Sequence, residues 1–358
     1  MYVYGDISTD ARVHRSASTL ASSYNVTVIS NKRGSKSLPN SGYAHYLVGK
    51  RDYNLRNYIV TILDAIRYIK KEQPDILYGH DYYSALLLLF LKRKKCKKIV
   101  YDAHELYVPE KGKPFSFRSR IFYWIEKAIV KKVDLLICAS EERGYLMQKH
   151  YNLPSPPLTI RNISKLNVIS EKEFCDDKNV NGFLQIPGKT LVYAGVVVRS
   201  RRLDELIRAA GTLSPEVKLL IVGGGNAVEE LKELAVSYPN LQSLFTGPIP
   251  FRELGYILSK CDLGFIYYPV DTLNNIYCAS NKLYEYASVN LPIVSNNNPT
   301  IKKALEQYKI GEASDDLLSA VRQVLENYEA YHSNCSAFNK DFNWETEARR
   351  LQESMQQL

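Results

Sequence analysis

Residues 279–286 read Ala-Ser-Asn-Lys-Leu-Tyr-Glu-Tyr, and Leu-Pro-Ile-Val-Ser follows at 291–295. This pattern predicts a polar turn, a short helix and then a buried strand. The Ser-Asn-Lys trio at 280–282 stands at the predicted helix start, where free backbone N–H groups and a cation can hold an anion. Glu285 follows about one helical turn later and can accept hydrogen bonds from two sugar hydroxyls. An anion site and a ribose site one turn apart predict a nucleotide ligand.

Length and composition narrow the class of protein. A chain of 358 residues exceeds one ordinary hydrophobic core, so we expect two domains, and 45% hydrophobic residues indicate a globular protein. No apolar run reaches the length of a membrane span, and the first residues lack the pattern of a signal peptide. The six cysteines include no CxxC pair, which favours reduced thiols over a disulfide or zinc framework. We therefore expect a cytoplasmic protein.

The net charge of +9 leaves three interpretations open. It is consistent with a solvated basic surface, with anionic substrates, or with contact to an anionic membrane face. Nucleic acid is not expected as a partner, because the sequence contains no recognition-helix, RNP or zinc-finger pattern.

The first half of the chain alternates predicted strands and helices. The predicted strands lie at 2–5, 26–29, 75–78, 98–101 and 134–138. The predicted helices lie at 11–22, 55–71 and 83–92. Such alternation is typical of a doubly wound parallel sheet. The loop after the first strand is not a GxGxxG, so dinucleotide binding is not expected there.

A polar stretch at 163–188 interrupts the alternation and predicts a linker. Beyond it, strands are predicted at 191–194, 217–222, 244–245, 263–267 and 291–295. Helices are predicted at 203–210, 227–236, 251–259 and 317–328. The expected fold is α/β, with two Rossmann-like doubly wound domains facing a central cleft. We place the domains at 1–165 and 166–340, and expect a final helix at 341–358 to cross back to the first domain.

Charged side chains follow predicted strands in the first domain. Asp102, His104 and Glu105 come directly after the strand at 98–101, at the sheet edge where ligands bind in open α/β folds. Alternatively, these residues belong to a surface loop and form salt bridges. His80 and Asp81 form a similar, weaker pair. No spacing of histidines and carboxylates matches a metal site, so we expect none.

The second domain carries basic and glycine-rich loops after its first two strands. Residues 199–202 read Arg-Ser-Arg-Arg, and arginine can clamp a diphosphate through two hydrogen bonds. The alternative is a solvated basic turn. The three glycines at 223–225 lack the spacing of a dinucleotide loop, and indicate instead close approach of backbone to a ligand.

The segment 114–132 interleaves aromatic and basic residues. The aromatic residues considered are Phe115, Phe117, Phe122 and Trp124, and the basic ones are Arg118, Arg120, Lys127, Lys131 and Lys132. A basic helix with bulky apolar side chains suits an anionic membrane surface. It also fits an ordinary helix packed on its sheet with a basic outer face.

Together, four groups of residues resemble the retaining glycosyltransferases of family 4. These groups are Asp10 to Val13, Asp102 to Glu105, Gly195 followed by Arg201 and Leu203-Asp204, and Asn281 to Tyr286 ahead of Leu291 to Val294. The resemblance covers nearly the whole chain and implies a GT-B fold.

The resemblance also implies roles for individual residues. Glu285 matches the glutamate that binds the donor ribose, and Arg201 matches the basic residue that holds the donor diphosphate. The other expected donor-binding residues are Gly195, Arg199, Gly224, Ser280, Asn281, Lys282 and Leu283. His104 matches the histidine near the reacting sugar, and we expect it to be catalytic together with Arg201 and Lys282. The expected acceptor-side residues are Asp10, Arg12, His80 and Glu105.

The expected activity is retaining hexosyl transfer from a nucleotide-diphosphate sugar to a hydroxyl acceptor. Arg201 and Lys282 would stabilise the leaving diphosphate, so we expect neither metal nor cofactor. The expected acceptor is a carbohydrate or a lipid-linked intermediate in bacterial surface polysaccharide or glycoconjugate synthesis. Such an enzyme would be cytoplasmic and could work at the inner face of the plasma membrane.

Three positions depart from the family pattern. Val196 stands where the family often has Arg, Tyr277 stands where it often has a first Glu, and Tyr4-Gly5-Asp6 replaces a glycine-rich loop. The departures at Val196 and Tyr277 leave open a catalytically weak partner subunit of a glycosyltransferase. A nucleotide-sugar epimerase, another enzyme on the same fold, is a further alternative. The sequence specifies neither the donor sugar, nor the nucleotide base, nor the acceptor.

Overall fold

The computed structural model describes residues 1–7, 10–32, 42–50, 55–91, 97–106, 108–110, 112–113, 115–175 and 178–358. The chain divides into two compact units. Unit 1 comprises Met1–Asn162 and Glu345–Leu358, and unit 2 comprises Ile163–Trp344. Within the described residues, no helix combines the length and apolar character needed to cross a membrane.

Unit 1 is built on a parallel sheet. Its strands are β1 (Tyr2–Val3), β2 (Thr27–Lys32), β3 (Ala44–Lys50), β4 (Ile76–His80), β5 (Lys98–Ala103), β6 (Leu135–Cys138) and β7 (Leu158–Thr159). Its helices are α1 (Ala11–Leu20), α2 (Leu55–Glu72), α3 (Asp81–Phe90), α4 (Phe117–Ile129) and α5 (Glu141–Tyr151). The described strands are ordered β3-β2-β1-β4-β5-β6-β7. The order reverses between β1 and β4, which is the position where doubly wound sheets bind ligands.

Unit 2 repeats this arrangement. Its strands are β8 (Lys189–Ala194), β9 (Val217–Val222), β10 (Ser243–Gly247), β11 (Leu263–Ile266), β12 (Ile293–Ser295) and β13 (Gly311–Ala313). Its helices are α6 (Val180–Gln185), α7 (Leu203–Thr212), α8 (Val228–Val236), α9 (Phe251–Ser259), α10 (Leu273–Ile276), α11 (Asn281–Ser288), α12 (Pro299–Tyr308), α13 (Leu317–Glu326) and α14 (Tyr328–Asp341). The described strands are ordered β10-β9-β8-β11-β12-β13, so the order reverses between β8 and β11.

Both faces of the unit 2 sheet are covered. Along β8, Leu191 and Tyr193 pack into one hydrophobic cluster, and Val192 and Ala194 pack into a second. Successive side chains of a strand point to opposite faces, so the two clusters lie on opposite sides of the sheet. Burial on both faces explains why these strands are continuous apolar runs and not alternating ones. The prediction of two doubly wound α/β domains is confirmed.

The C-terminal helix, α15 (Trp344–Gln356), packs mainly in unit 1. The Gln352 amide donates to the Thr19 carbonyl at 3.3 Å and to Ser22 Oγ at 3.0 Å. Glu347 is buried and accepts hydrogen bonds from both the backbone and the guanidinium of Arg161, each at 3.0 Å. A carboxylate buried in this way needs such partners, because an unpaired buried charge is costly.

The linker prediction for 163–188 is wrong over its second half. Residues 180–185 form α6, and Val180 and Phe183 are buried in the core of unit 2. Lys218 of β9 holds the end of α6 in place. This residue is 1% exposed. Its ammonium group donates to the carbonyls of Phe183 at 3.1 Å and Leu184 at 2.7 Å, and also to that of Ile186. The Asp176-Asp177 pair of the predicted linker lies outside the described residues.

Other differences concern element boundaries. The strand β3, the helices α10, α12 and α14 and the strand β13 were not predicted. The strand predicted to end at Tyr101 continues to Ala103, so Asp102 is inside the sheet and buried. Its charge is paired with Arg12, a residue far away in sequence, and this pairing allows a carboxylate in a buried strand.

The Lys218 contacts predict a specific stability effect. Lys218→Met leaves three carbonyls at the end of α6 without their charged donor, and each such loss costs about 1–3 kcal/mol. We expect the opening free energy of unit 2 to fall by about 3 kcal/mol, measured by native-state hydrogen exchange of the β9 amides. Lys260→Met, at an exposed position, is the matched control. Equal exchange rates in the two variants would contradict the role assigned to Lys218.

Candidate functional site

A cavity of about 780 Å³ opens at the carboxyl edge of the unit 2 sheet. It lies where the strand order reverses, and its walls come from the loops after β8, β9, β10 and β11 and from the start of α11. The lining residues predicted from the sequence are Gly195, Gly224, Asn281, Lys282 and Glu285. Its mixed polar and apolar wall suits a ligand with both a charged and an aromatic part.

Glycines let the backbone and a cation approach closely at the cavity floor. Gly195 has a φ of +148°, and a Cβ there would lie 2.7 Å from Nζ of Lys282. Gly223 has a φ of +130°, and a Cβ on it would overlap the Gly195 carbonyl. Gly195 therefore requires glycine for its backbone conformation, and Gly223 requires it for both conformation and space.

Lys282 is the cation of this cavity. Its ammonium group lies 5.2 Å from the centre of the Tyr193 ring. Burial, and after it the Arg201 guanidinium, lower the pKa of Lys282 to about 8, although Glu285 opposes this shift. A partly desolvated ammonium group interacts strongly with any anion that reaches it.

Arg201 lies next to this cation behind the cavity wall. Its Nη1 donates to the Tyr267 carbonyl at 2.9 Å, and its guanidinium carbon lies 4.2 Å from the centre of the Tyr268 ring. Tyr268 itself lines the cavity. Two neighbouring cations, Arg201 and Lys282, repel each other, so an anion between them would relieve this repulsion.

The start of α11 presents unsatisfied polar atoms. Oγ of Ser280 and Oδ1 of Asn281 are buried and have no hydrogen-bond partner among the described residues. Ser280 is the N-cap residue of α11, yet its side chain makes no capping hydrogen bond. Buried polar groups without partners are uncommon and costly, so these atoms indicate a ligand or ordered water at this helix end.

Tyr286 fixes the orientation of α11. Its side chain is fully buried, and its hydroxyl accepts from the Ala194 amide at 3.0 Å and donates to the Phe265 carbonyl at 3.3 Å. The ring fits against Gly264, where any Cβ would overlap it. This anchor sets the position of Lys282 and Glu285 on the same helix.

Two residues predicted for the donor site lie elsewhere. Arg199 is exposed and pairs with Glu230 at 2.8 Å, so its side chain does not line the cavity. Leu283 is buried in the hydrophobic core of unit 2. The reason is helical geometry, because the residue that follows Lys282 faces the sheet when Lys282 faces the cavity. Val196 lines the cavity and is exposed, whereas Tyr277 is not among its lining residues.

The predicted residues of unit 1 gather around a buried ion pair. Asp102 accepts from Arg12 Nη2 at 2.6 Å and Nε at 3.1 Å, and from the Tyr78 hydroxyl at 3.1 Å. Arg12 also donates to the Ile160 carbonyl at 2.8 Å. Burial raises the pKa of Asp102, but the Arg12 cation and a hydrogen bond from His80 outweigh it and hold the pKa well below its ordinary range.

His80 and His104 lie close to the Arg12–Asp102 ion pair. Nδ1 of His80 is 3.2 Å from Nε2 of His104 and 3.5 Å from Asp102 Oδ2, and Nε2 of His104 is 3.8 Å from the same oxygen. Burial lowers the pKa of His104 to about 4, with Asp102 opposing and Arg12 adding to the shift. The Arg143 guanidinium donates to the His104 carbonyl at 2.6 Å, which holds the loop after β5.

The same three side chains form a group that could bind a metal ion, which the sequence did not indicate. One ligand-type atom each of His80, Asp102 and His104 lies within 4.8 Å of the others. Asp102 Oδ2, however, already accepts from Arg12 and Tyr78, and the guanidinium puts a positive charge beside it. An arginine so close disfavours a divalent cation at this oxygen.

The other predicted acceptor-side residues have separate positions. Asp10 caps α1 by accepting from the Val13 amide at 3.1 Å, and Glu105 is exposed. Asp81 begins α3 with a φ of +61°, and burial raises its pKa to about 8. A non-glycine residue in this conformation is uncommon and often marks a functional site.

Several site residues were not predicted. Asp102 was predicted at the sheet edge, but after the strand and not within it, and Tyr78 and Tyr268 were not singled out. Pro248, Ile249 and Phe251 add an apolar wall to the cavity. Only their place in the sequence could have indicated them, because they follow the end of β10 at the same sheet edge.

The electrostatics of the cavity can be tested by titrating Lys282. With ¹³C-methylated lysines, we expect its NMR signal to titrate with a midpoint near 8, identified by its absence in Lys282→Arg. Arg201→Met removes a neighbouring cation and should move the midpoint upward. A Lys282 midpoint at the ordinary lysine value, in the folded protein, would contradict the arrangement described.

The model of Glycosyltransferase Family 4 matches residues 11–162, and that of Glycosyl transferases group 1 matches residues 182–340. An uncharacterized glycosyltransferase from Methanocaldococcus jannaschii is 26% identical over 194 residues. That match spans 51% of this chain and 48% of the relative, so it covers about half of each protein.

Solved structures resemble the whole chain. HepE of Anabaena, in complex with UDP and glucose, has a TM-score of 0.73 at 14% identity, covering 100% of this chain and 98% of its own. WaaG, a glycosyltransferase involved in lipopolysaccharide biosynthesis, has a TM-score of 0.68 at 14% identity, with 98% and 97% covered. At such identities the likeness shows the fold, which is GT-B. With one family model on each unit, the chain belongs to the family 4-like glycosyltransferases of the GT-B fold.

Proposed function

We propose that this chain transfers a sugar from a nucleotide-diphosphate sugar to a hydroxyl acceptor. The observation that supports this most is the cavity of unit 2, whose lining includes a partly desolvated cation, a carboxylate and Asn281, which carries an unpartnered amide oxygen. The binding of UDP-containing ligands by HepE, on the same fold, supports the choice of donor class.

The donor would be held by its nucleotide end. The diphosphate would lie at the start of α11, where Lys282, Ser280 and Asn281 converge and Arg201 adds positive charge. Glu285 lies one turn along the helix and lines the same cavity, so it would accept from the ribose hydroxyls. The apolar wall at 248–251 would lie against the base.

Unit 1 would serve the acceptor. His104 is partly exposed at the carboxyl edge of the sheet, and it would contact the reacting sugar or the acceptor hydroxyl. Asp10 and Glu105 would contribute to the same side, whereas Arg12 and His80 are buried and would act by holding Asp102 and His104.

The transfer would retain configuration without a protein nucleophile or a metal ion. An oxocarbenium-like transition state develops negative charge on the leaving diphosphate, and preorganised cations stabilise such charge best. Lys282 and Arg201 are preorganised by packing against Tyr193 and Tyr268. The acceptor hydroxyl would pass its proton to a diphosphate oxygen as the glycosidic bond forms on the same face.

The biological setting we propose is bacterial surface polysaccharide or glycoconjugate synthesis, with a carbohydrate or lipid-linked acceptor. WaaG, which shares the fold, is involved in lipopolysaccharide biosynthesis. The reaction would take place in the cytoplasm at the inner face of the plasma membrane.

The outer face of α4 supports a peripheral membrane contact. Phe117, Ile121 and Trp124 recur at helical spacing and are exposed, Phe117 by 79% and Trp124 by 61%. Lys127 lies 5.0 Å above the Trp124 ring, and Arg120 is exposed on the same helix. Apolar side chains among cations match the headgroup region of an anionic leaflet. Pro114 of the predicted segment, and the side chain of Arg118, lie outside the described residues.

Site variants test the proposed activity. A thermal-shift screen of nucleotide sugars identifies a donor, because a bound ligand stabilises the fold. With that donor, we expect Lys282→Met to lower kcat/KM by about 10²–10³-fold, and Glu285→Gln to raise KM by about tenfold. Lys260→Met is the control, and EDTA should not change the rate. Full activity in the folded Lys282 and Glu285 variants would contradict the assignment.

Product analysis tests the stereochemistry and the competing functions. We expect the NMR spectrum of the product to show the anomeric configuration of the donor. An inverted product would contradict retention. Conversion of the donor without an acceptor would indicate the epimerase. No turnover of any donor by the lone chain would indicate the weak partner subunit.

Membrane contact is testable with vesicles. We expect the double variant Phe117→Ser/Trp124→Ser to lose most cosedimentation with phosphatidylglycerol vesicles, because it loses the exposed apolar anchors. Val236→Ser, at an exposed apolar position of unit 2, should bind like the unchanged protein. Binding that is equal in both variants, or that ignores lipid charge, would contradict a contact through α4.

A further inference from the structure

The rings of His80 and His104 in unit 1 lie within hydrogen-bonding distance of each other. Nδ1 of His80 and Nε2 of His104 are 3.2 Å apart, a distance at which one nitrogen donates to the other. Neutral imidazole has one donor and one acceptor nitrogen, so the position of the proton between them fixes the tautomer of both rings. The exposed ring, His104, is the one that can reach a ligand, since His80 is fully buried.

The surroundings place the proton on His80. The nearest charged group is the Asp102 carboxylate, which can only accept, and it lies 3.5 Å from Nδ1 of His80 but 3.8 Å from Nε2 of His104. Arg12 binds both oxygens of Asp102 and keeps it ionised. A hydrogen on Nδ1 of His80 therefore faces both an anion and a ring nitrogen.

The surroundings of Nε2, the other ring nitrogen of His80, also favour a proton on Nδ1. Its Nε2 is buried and has no partner among the described residues. With the proton on Nδ1, this orphan atom is an acceptor; in the other tautomer it would be an N–H donor. Buried N–H groups without partners are the rarer and more costly case.

We propose that His80 is a positioning residue that fixes His104 as its neutral Nδ1–H tautomer, so that His104 acts as a hydrogen-bond donor to a substrate oxygen. Nε2 of His104 accepts from His80 and is not available as a base. Among the described residues, none hydrogen-bonds to Nδ1 of His104, which leaves this N–H for a ligand. The tautomer assignment stands on geometry alone, and only the use of the N–H rests on the proposed function.

The charges around His104 keep it neutral in the working range. Burial lowers its pKa to about 4, Arg12 and His80 add to the shift, and Asp102 and Asp10 oppose it. Arg143 contacts the His104 carbonyl and not the ring. Above about pH 5, His104 is therefore expected to give one unchanging signal.

The experiment is ¹H–¹⁵N NMR of the full chain with ¹⁵N-labelled histidine. We expect His104, assigned with a His104→Gln variant, to show a protonated Nδ1 and an unprotonated Nε2 from about pH 5 to pH 8. His80→Phe keeps a ring but removes the donor, so His104 should populate both tautomers. His80→Asn returns an N–H near the Nδ1 position and should restore the single tautomer. His332→Phe, on α14, is the control and should leave the His104 signals unchanged.

The outcomes separate this inference from the proposed function. A protonated Nε2 on His104 in the unchanged protein overturns the proposal, as does a His80→Phe spectrum identical to it. Stoichiometric Zn²⁺ that shifts both rings would show a metal site and also overturn it. If the tautomer holds, kcat should fall about tenfold in His80→Phe and recover in His80→Asn, with KM for the donor little changed. An intact tautomer pattern in a chain without transferase activity would refute the proposed function but not the role of His80.

Discussion

The close approach of Lys282 to Gly195 is the constraint on which the unit 2 site depends. Gly195 has a φ of +148°, a conformation that residues with a Cβ rarely adopt, and its bare backbone lets the ammonium nitrogen approach closely. Tyr286 holds α11 against β8 and β11 from below and thereby places the lysine there. The result is a cation that is partly desolvated by its own fold, with Arg201 beside it. Such a group is poised for an anion, because the binding of one restores the interactions that water would otherwise supply.

Unit 1 also holds a charged side chain away from water, but there the group is an anion. Asp102 lies inside a buried strand, and the chain keeps it charged by placing Arg12 at the start of α1. Removing one partner of such a pair leaves an uncompensated buried charge, so the pair is a fixed part of the fold. Both units thus build their polar groups at the sheet edge where the strand order reverses. In unit 2 these polar side chains lie at a cavity, and in unit 1 they position the imidazole ring of His104.

Much of this architecture could be predicted, because strand and helix periodicity is strong in apolar segments such as 217–222. The helix at 281–288 and its polar start were predicted from the same local pattern. What failed depends on long-range pairing. The helix α6 was missed because Lys218, distant in sequence, caps it, and Asp102 was placed in a loop because its partner Arg12 is not a neighbour in the chain. Arg199 was predicted as a diphosphate ligand from its basic loop, and Leu283 from its place in the 280–285 motif. Their side chains lie instead against Glu230 and in the core, because side-chain direction is set by the fold and not by position in a motif.

We expect the cavity of unit 2 to bind a nucleoside diphosphate through α11. A crystal structure with uridine diphosphate tests it most directly. We expect the diphosphate next to Lys282, with hydrogen bonds from Ser280 Oγ and the Asn281 side chain, and the ribose hydroxyls on Glu285. A diphosphate bound away from the start of α11, or a ribose that does not contact Glu285, would contradict it.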